Sequence, residues 1–321
     1  MQATIADNHT APPRPTLAHW LRKNRRYTIL FLMTLPGILY LLINNYLPML
    51  GIVIAFKNYN YSAGILGSDW AGFSNFEYLF KTKDALIITR NTLLYNGTFI
   101  VLHLIVAIAF AILLNEVRNR FFSRFYQSVI LLPYLISTVI IGYLVFAMLS
   151  VENGFVNKTL LPMLGIEGIS WYSEPKYWPY ILTFVSLWKG AGYLCVIFLA
   201  AIIGIDHEYY EAATIDGAGK WRQVFSITLP LIAPVVTVMT LIAIGRIFYA
   251  DFGLFYQVPL DAGALQSTTN VIDTYVYRAL LTLGDIGMSS SAGLYQSVVG
   301  FVLVLISNFV VRKINKDNAL F

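Results

Sequence analysis

The chain has 321 residues, of which 57% are hydrophobic and 12% charged, where ordinary globular proteins carry roughly 25% charged residues. So few charges cannot cover a water-facing surface, which excludes an ordinary soluble domain and points to an integral membrane protein. The formal net charge of +5 does not argue for nucleic acid, because the basic residues do not share one folded face.

Residues 1–26 are polar, and Pro12, Pro13 and Pro15 oppose regular structure there. The composition predicts a disordered start, followed by a short interfacial helix over His19–Arg26 whose cations meet anionic headgroups. A cleaved signal peptide is not expected, since the apolar run from Tyr27 exceeds a signal h-region and no small-x-small site follows. Span one is predicted at about Thr28–Asn44, with Tyr46–Phe56 continuing it or lying at the outer interface, and with kinks at Pro36 and Pro48. An aromatic-rich loop runs from Lys57 to Arg90. Span two is placed at Thr92–Leu114, span three at Tyr126–Ser150 and span four at Pro179–Ile203. Trp171, Tyr172, Tyr177 and Trp178 read as an interfacial anchor set before span four. Span five follows at Ser226–Tyr249 and span six at Gly293–Val311, with a possible amphipathic helix at Val271–Leu283 in the loop between them.

The fold class expected is therefore an all-α integral membrane protein of six transmembrane helices. With both termini cytoplasmic, thirteen Lys and Arg fall inside and seven outside, while Lys189 and Arg246 lie in spans, in line with the positive-inside rule. The domain reading is a cytoplasmic tail at 1–26, a six-span domain at 27–311 and a second cytoplasmic tail at 312–321. The only cysteine, Cys195, lies within a span, so no intrachain disulfide can form.

Between spans four and five lies the one polar cytoplasmic loop large enough to form a docking platform, 204–230. Its core reads EYYEAATIDGAGKWRQVFSITLP: a short helix, a turn at Gly217-Ala218-Gly219, and a second helix running into span five. The pattern is Glu211-Ala212-Ala213, three residues, Gly217, nine residues, then Ile227-x-Leu229-Pro230. Complete, at this spacing and between two spans, it resembles the EAA loop of permease subunits of bacterial ATP-binding-cassette (ABC) importers. Weaker resemblances fall in family order along 27–311: Trp70-Ala71-Gly72-Phe73-Ser74-Asn75-Phe76-Glu77-Tyr78-Leu79-Phe80, in which Phe73 and Phe76 replace the family's commoner Leu and Tyr, then Leu131-Leu132-Pro133-Tyr134 and Gly154-Phe155-Val156-Asn157. Together they resemble the carbohydrate-uptake branch, and within it permeases for oligosaccharides and acidic polysaccharide fragments of the alginate or aldouronate type. Asp206-His207 departs from the family, which usually has a proline before this run.

The resemblance implies a type I importer permease in the bacterial inner membrane, forming half of a translocation pathway. It implies that Glu211, Ala212, Ala213, Asp216, Gly217, Ile227, Leu229 and Pro230 couple the chain to an ATPase. It also implies a second homologous permease, two ATPase subunits that carry ATP and Mg, and an extracytoplasmic solute-binding protein. The chain itself has no GxxxxGK[ST] phosphate loop and no His-rich metal spacing, so no cofactor or metal is expected on it.

Intramembrane cations are costly unless paired or hydrated, which singles out Lys189 and Arg246. Aromatic faces stack on sugar C–H surfaces, and cations replace hydration lost by carboxylates. These considerations predict a substrate path of Trp188, Lys189, Tyr193, Arg246, Tyr249 and Asp251, fit for an acidic saccharide. For Arg246 the competing expectation is snorkelling or a pair with Asp251. For the whole chain, the alternatives are an ion-gradient-driven secondary sugar transporter and a membrane-embedded enzyme or sensor; six spans without a repeat or an intramembrane acid disfavour the former, and the absence of a catalytic cluster argues against an enzyme.

Overall fold

The computed structural model describes residues 25–314. The chain divides into two units, one ending at Val53 and the other beginning at Ile54. In the first, α1 (Arg25–Leu41) is followed by a wide π turn at Leu42–Tyr46 and a last helical turn at Leu47–Met49. The wide turn sits just before Pro48, whose missing N–H interrupts the regular helical ladder. The predicted tail helix at His19–Arg26 lies almost entirely outside the described residues.

The second unit opens on a tight hairpin. Strands β1 (Lys57–Asn58) and β2 (Asp69–Trp70) pair antiparallel, with Lys57 opposite Trp70. The Lys57 ammonium is buried and donates to the carbonyls of Ile65 and Leu66 at 2.8 and 3.0 Å. Asn75 closes the base of the hairpin by donating to the carbonyls of Ala55 and Lys57.

The long helices follow: α2 (Lys83–Asn115), α3 (Arg120–Leu135), α4 (Thr138–Leu149) and α5 (Trp178–Ile203). Next come α6 (His207–Ile215), α7 (Lys220–Gln223) and α8 (Leu229–Gly245), with a π turn at Val224–Thr228 joining the last two. Then come α9 (Phe252–Gln257), α10 (Ile272–Arg278) and α11 (Ile286–Ile314). Among the described residues, five helical runs are long and apolar enough to cross a membrane. The sixth predicted span, number three, is not one rod but the pair α3 and α4, bent by 95°. The reason is local. Pro133 cannot donate to the preceding turn, and Ile136 and Ser137 then take extended backbone.

Helix α5 is the hub, packing against α2 and α3. Lipid tails are as apolar as leucine, so close backbone approach rather than hydrophobic exclusion must hold such helices together. Gly192 shows this: a Cβ built on it would lie 2.0 Å from the Ile130 carbonyl oxygen on α3. The half of the bundle nearest the 204–230 loop is a cluster of Ala107, Ala111, Cys195, Phe198, Leu199 and Ile232. The opposite half centres on Tyr95, Phe99, Trp178, Leu182, Leu254 and Phe255.

Two sequence expectations change here. Trp178 is fully buried, donates to the Trp171 carbonyl at 2.7 Å and packs edge-on against Tyr172. These two rings pack into the core rather than standing as interfacial anchors, and the Tyr172 hydroxyl also donates to the Val258 carbonyl in the segment after α9. The predicted amphipathic helix at Val271–Leu283 forms as α10 plus a π turn at Ala279–Leu283, which ends at Gly284.

Candidate functional site

The loop between the fourth and fifth spans is fixed by local bonds at both ends of its helix. Asp206 supplies the N-cap of α6, its Oδ1 accepting from the Glu208 amide at 3.1 Å. Thus the residue that departs from the usual proline has a defined local role. At the other end Gly217 takes φ +75°, and two bonds satisfy the last carbonyls: Gly217 donates to Thr214 at 3.0 Å and Ala218 to Ala213 at 2.8 Å. This is the 6→1 and 5→2 pattern of a Schellman C-cap, and its left-handed residue strongly favours glycine.

Two side-chain contacts then lock the loop to the root of span five. The Tyr210 hydroxyl meets Thr228 Oγ1 at 2.9 Å, and the buried Gln223 amide donates to Thr214 Oγ1 and the Ala218 carbonyl. Lys220 adds an ion pair to Glu116 at 3.1 Å, mostly exposed and so worth little by itself. Behind α6 a cavity of about 800 Å³ is lined by Glu116, Arg118, His207, Glu211 and Lys220, among others.

Of the predicted coupling residues, Glu211, Ala212, Asp216 and Gly217 are exposed and Ala213 is half-buried. Beside them Ile215 is 87% and Trp221 75% exposed, an apolar surface on a polar loop. Ile227, Leu229 and Pro230 lie apart, at the start of span five. Leu229 packs on the inner core cluster and Pro230 sits in the first turn of α8, where its missing N–H costs nothing.

A second polar site lies where the bent span meets α5. A cavity of about 210 Å³ is lined by His103, Tyr134, Ser186, Lys189, Gly190 and Asp251, among others. The Lys189 ammonium donates to the hydroxyl of Thr138, the first residue of α4. Asp251 caps α9 by accepting from Leu254 at 3.1 Å. Tyr193 stacks on Tyr134, with centroids 4.9 Å apart and planes at 15°. The structure therefore brings Lys189 and Asp251 to one cavity, with Tyr193 behind its wall.

Trp188, Arg246 and Tyr249 do not line that cavity. Tyr249 instead bonds Ser297 on α11 at 2.6 Å. Arg246 is exposed at the C-terminal end of α8 and forms no ion pair among the described residues, so the expected pair with Asp251 is not made. Asp251 is committed to its cap, which explains why. Sequence reasoning missed His103, Tyr134, Thr138 and Ser186. His103 bridges the Phe99 carbonyl at 2.8 Å and the Ser186 carbonyl at 3.0 Å, a role that only the packing of α2 on α5 creates.

Apolar membrane-length helices, one bent pair and a rigid helical loop between the fourth and fifth spans have the build of a membrane permease. The chain belongs to the family of binding-protein-dependent transport system inner membrane components, which it matches over residues 104–316. It is 37% identical over 288 residues to the polygalacturonan/rhamnogalacturonan transport system permease protein YteP of Bacillus subtilis (strain 168), covering 90% of this chain and 89% of that protein. Among solved structures, it matches a chain of a bacterial ABC transporter involved in the import of the acidic polysaccharide alginate. The TM-score is 0.83 at 31% identity, over 92% of this chain and 99% of that one. A bacterial alginate ABC transporter in complex with an alginate pentasaccharide-bound periplasmic protein matches with TM-score 0.83 at 32% identity, over 92% and 98% of the two chains. This membership makes the chain a transport subunit rather than an enzyme, and decides against the ion-gradient-driven alternative.

Proposed function

We propose that this chain forms half of the translocation pathway of an ATP-driven importer for an acidic oligosaccharide. In this reading an extracytoplasmic binding protein delivers the sugar, and a second homologous permease completes the path. Two ATPase subunits bind ATP and Mg and supply the free energy of nucleotide hydrolysis. The chain is multi-pass with both termini in the cytoplasm, as its charge bias supports.

The observation that carries the proposal is the locked loop: α6 ends in a Schellman turn and is bonded through Tyr210 and Gln223 to the root of span five. A helix held at both ends moves as a lever. Displacement of its exposed Glu211–Ala212 face by an ATPase is passed to α8 without being absorbed by the loop. Coupling then requires the docked loop to prefer different geometries in the inward- and outward-open states.

The acidic character of the cargo rests on Lys189, with support from the substrates named for the relatives. At bilayer depth its charge is tolerated because Thr138 and the cavity hydrate it, and a sugar carboxylate can take that place. The aromatic face of Tyr134, backed by the stacked Tyr193 ring, borders the same space. Vesicles containing the whole complex test the reading: uptake of an acidic oligosaccharide is expected to need internal ATP and the binding protein. Uptake driven by a proton gradient without ATP would overturn it.

A further inference from the structure

Between α2 and α5, away from both sites above, runs a groove of about 680 Å³ lined by Arg90, Leu94, Leu102, Tyr180, Phe184 and Leu187, among others. Its walls are predominantly apolar, and its one charged residue lies at one end. Arg90 is exposed, forms no ion pair among the described residues, and donates to Asn91 Oδ1 at 3.1 Å. An arginine at headgroup level beside an apolar track is suited to a phosphate followed by a hydrocarbon chain.

Length decides between a lipid and a protein occupant. From Arg90 to Leu102 the track along α2 is about 18 Å at 1.5 Å per residue, and from Pro179 to Leu187 along α5 about 12 Å. A transmembrane helix needs a track of about 30 Å, the full hydrocarbon core, whereas one leaflet is about half of that. The groove is one leaflet deep. Leu94 and Phe184 are also highly exposed, 63% and 69%, as side chains facing an acyl chain would be in a protein without its lipid.

We propose that this groove binds one anionic phospholipid, its phosphate on Arg90 and an acyl chain between Leu94 and Phe184. In the orientation assigned above, the lipid belongs to the outer leaflet of the inner membrane. Arg90 acts on more than the lipid. Its partner Asn91 donates to the carbonyls of Ser267 and Asn270 in the external segment before α10, at 3.2 and 3.0 Å. A phosphate on Arg90 therefore steadies the pair that ties α2 to that segment.

The test uses the assembled transporter, stripped of lipid in detergent and supplied with phosphatidylglycerol or phosphatidylethanolamine, with retained lipid counted by native mass spectrometry. Phosphatidylglycerol is expected to be kept over phosphatidylethanolamine, and Arg90→Gln to lower its retention about tenfold while Arg90→Lys keeps most of it. Leu94→Trp, which fills the track, is expected to expel either lipid. A photo-crosslinker at Phe184 provides a second measurement that does not depend on these variants folding, and should label lipid. Equal retention of the two lipids, retention unchanged by Arg90→Gln, or crosslinking of Phe184 to a partner protein chain would each overturn the proposal.

Discussion

Lys189, midway along α5, gives a proton of its ammonium group to the hydroxyl of Thr138, the residue at which the bent span resumes its helix. The bond joins a half-buried cation in the wall of the polar cavity to the only sharp bend among the described spans. A cation within an apolar helix thus has its hydrogen-bond partner at the start of the helix that follows the bend.

Replacing Lys189 by Gln should lower uptake of an acidic oligosaccharide by about tenfold or more, and leave a neutral oligosaccharide of equal length within about twofold. Thr138→Val should fall between wild type and Lys189→Gln, because the charge survives without its partner. Transport assays in vesicles with the two cargoes check this. Equal loss for both cargoes would assign Lys189 to folding rather than to selection.

Gly192 has no room to grow. Gly192→Ala places a methyl group where the Ile130 carbonyl oxygen already lies, so α3 and α5 must separate at a cost of about 1–3 kcal/mol. Gly219, extended and with nothing within 4 Å of a built Cβ, should accept alanine without loss. Thermal denaturation of the two variants in detergent compares them directly. Equal melting temperatures would contradict the close crossing.

Asp273 predicts a pH dependence. Its carboxylate accepts from the Ala250 amide at 2.8 Å and from Gln296 at 3.2 Å. Burial outweighs these bonds and raises its pKa above the ordinary 3.8. The fold thus favours the protonated acid, and the contribution to stability is complete below the ordinary value and lost as pH rises through the raised one. Asp273→Asn removes that titration. The melting temperature of wild type minus that of the variant should fall as pH rises from about 4 to about 7. A difference that stays flat, or one that grows with pH, would contradict the assignment.

The loop was legible because its chemistry is local: a capping residue, nine helical positions and a glycine in a left-handed turn are all written in consecutive letters. The spans were legible as apolar runs, apart from number three. Tyr126–Ser150 is continuous in composition, and only Pro133 hints that the helix stops at Ile136. Site geometry was legible in part. Lys189 announced itself as a charge in an apolar run, but His103 and Thr138 are ordinary residues far from it in sequence, brought near only by the packing of α2, α4 and α5. Asp251 looked like a partner for Arg246 because they are close in sequence, yet its carboxylate is spent on the first turn of α9.

In the proposed mechanism, force passes from an ATPase into α8 through the loop whose helix ends at Gly217. The most direct measurement is ATP-driven uptake by the reconstituted transporter carrying Glu211→Arg together with Gly217→Ala, a residue type that takes φ +75° only at about 1 kcal/mol of strain. With the subunits still folded and the helical content unchanged, uptake should drop at least about tenfold while the binding protein still docks. Uptake at the wild-type rate, still controlled by ATP, would show that the force enters elsewhere.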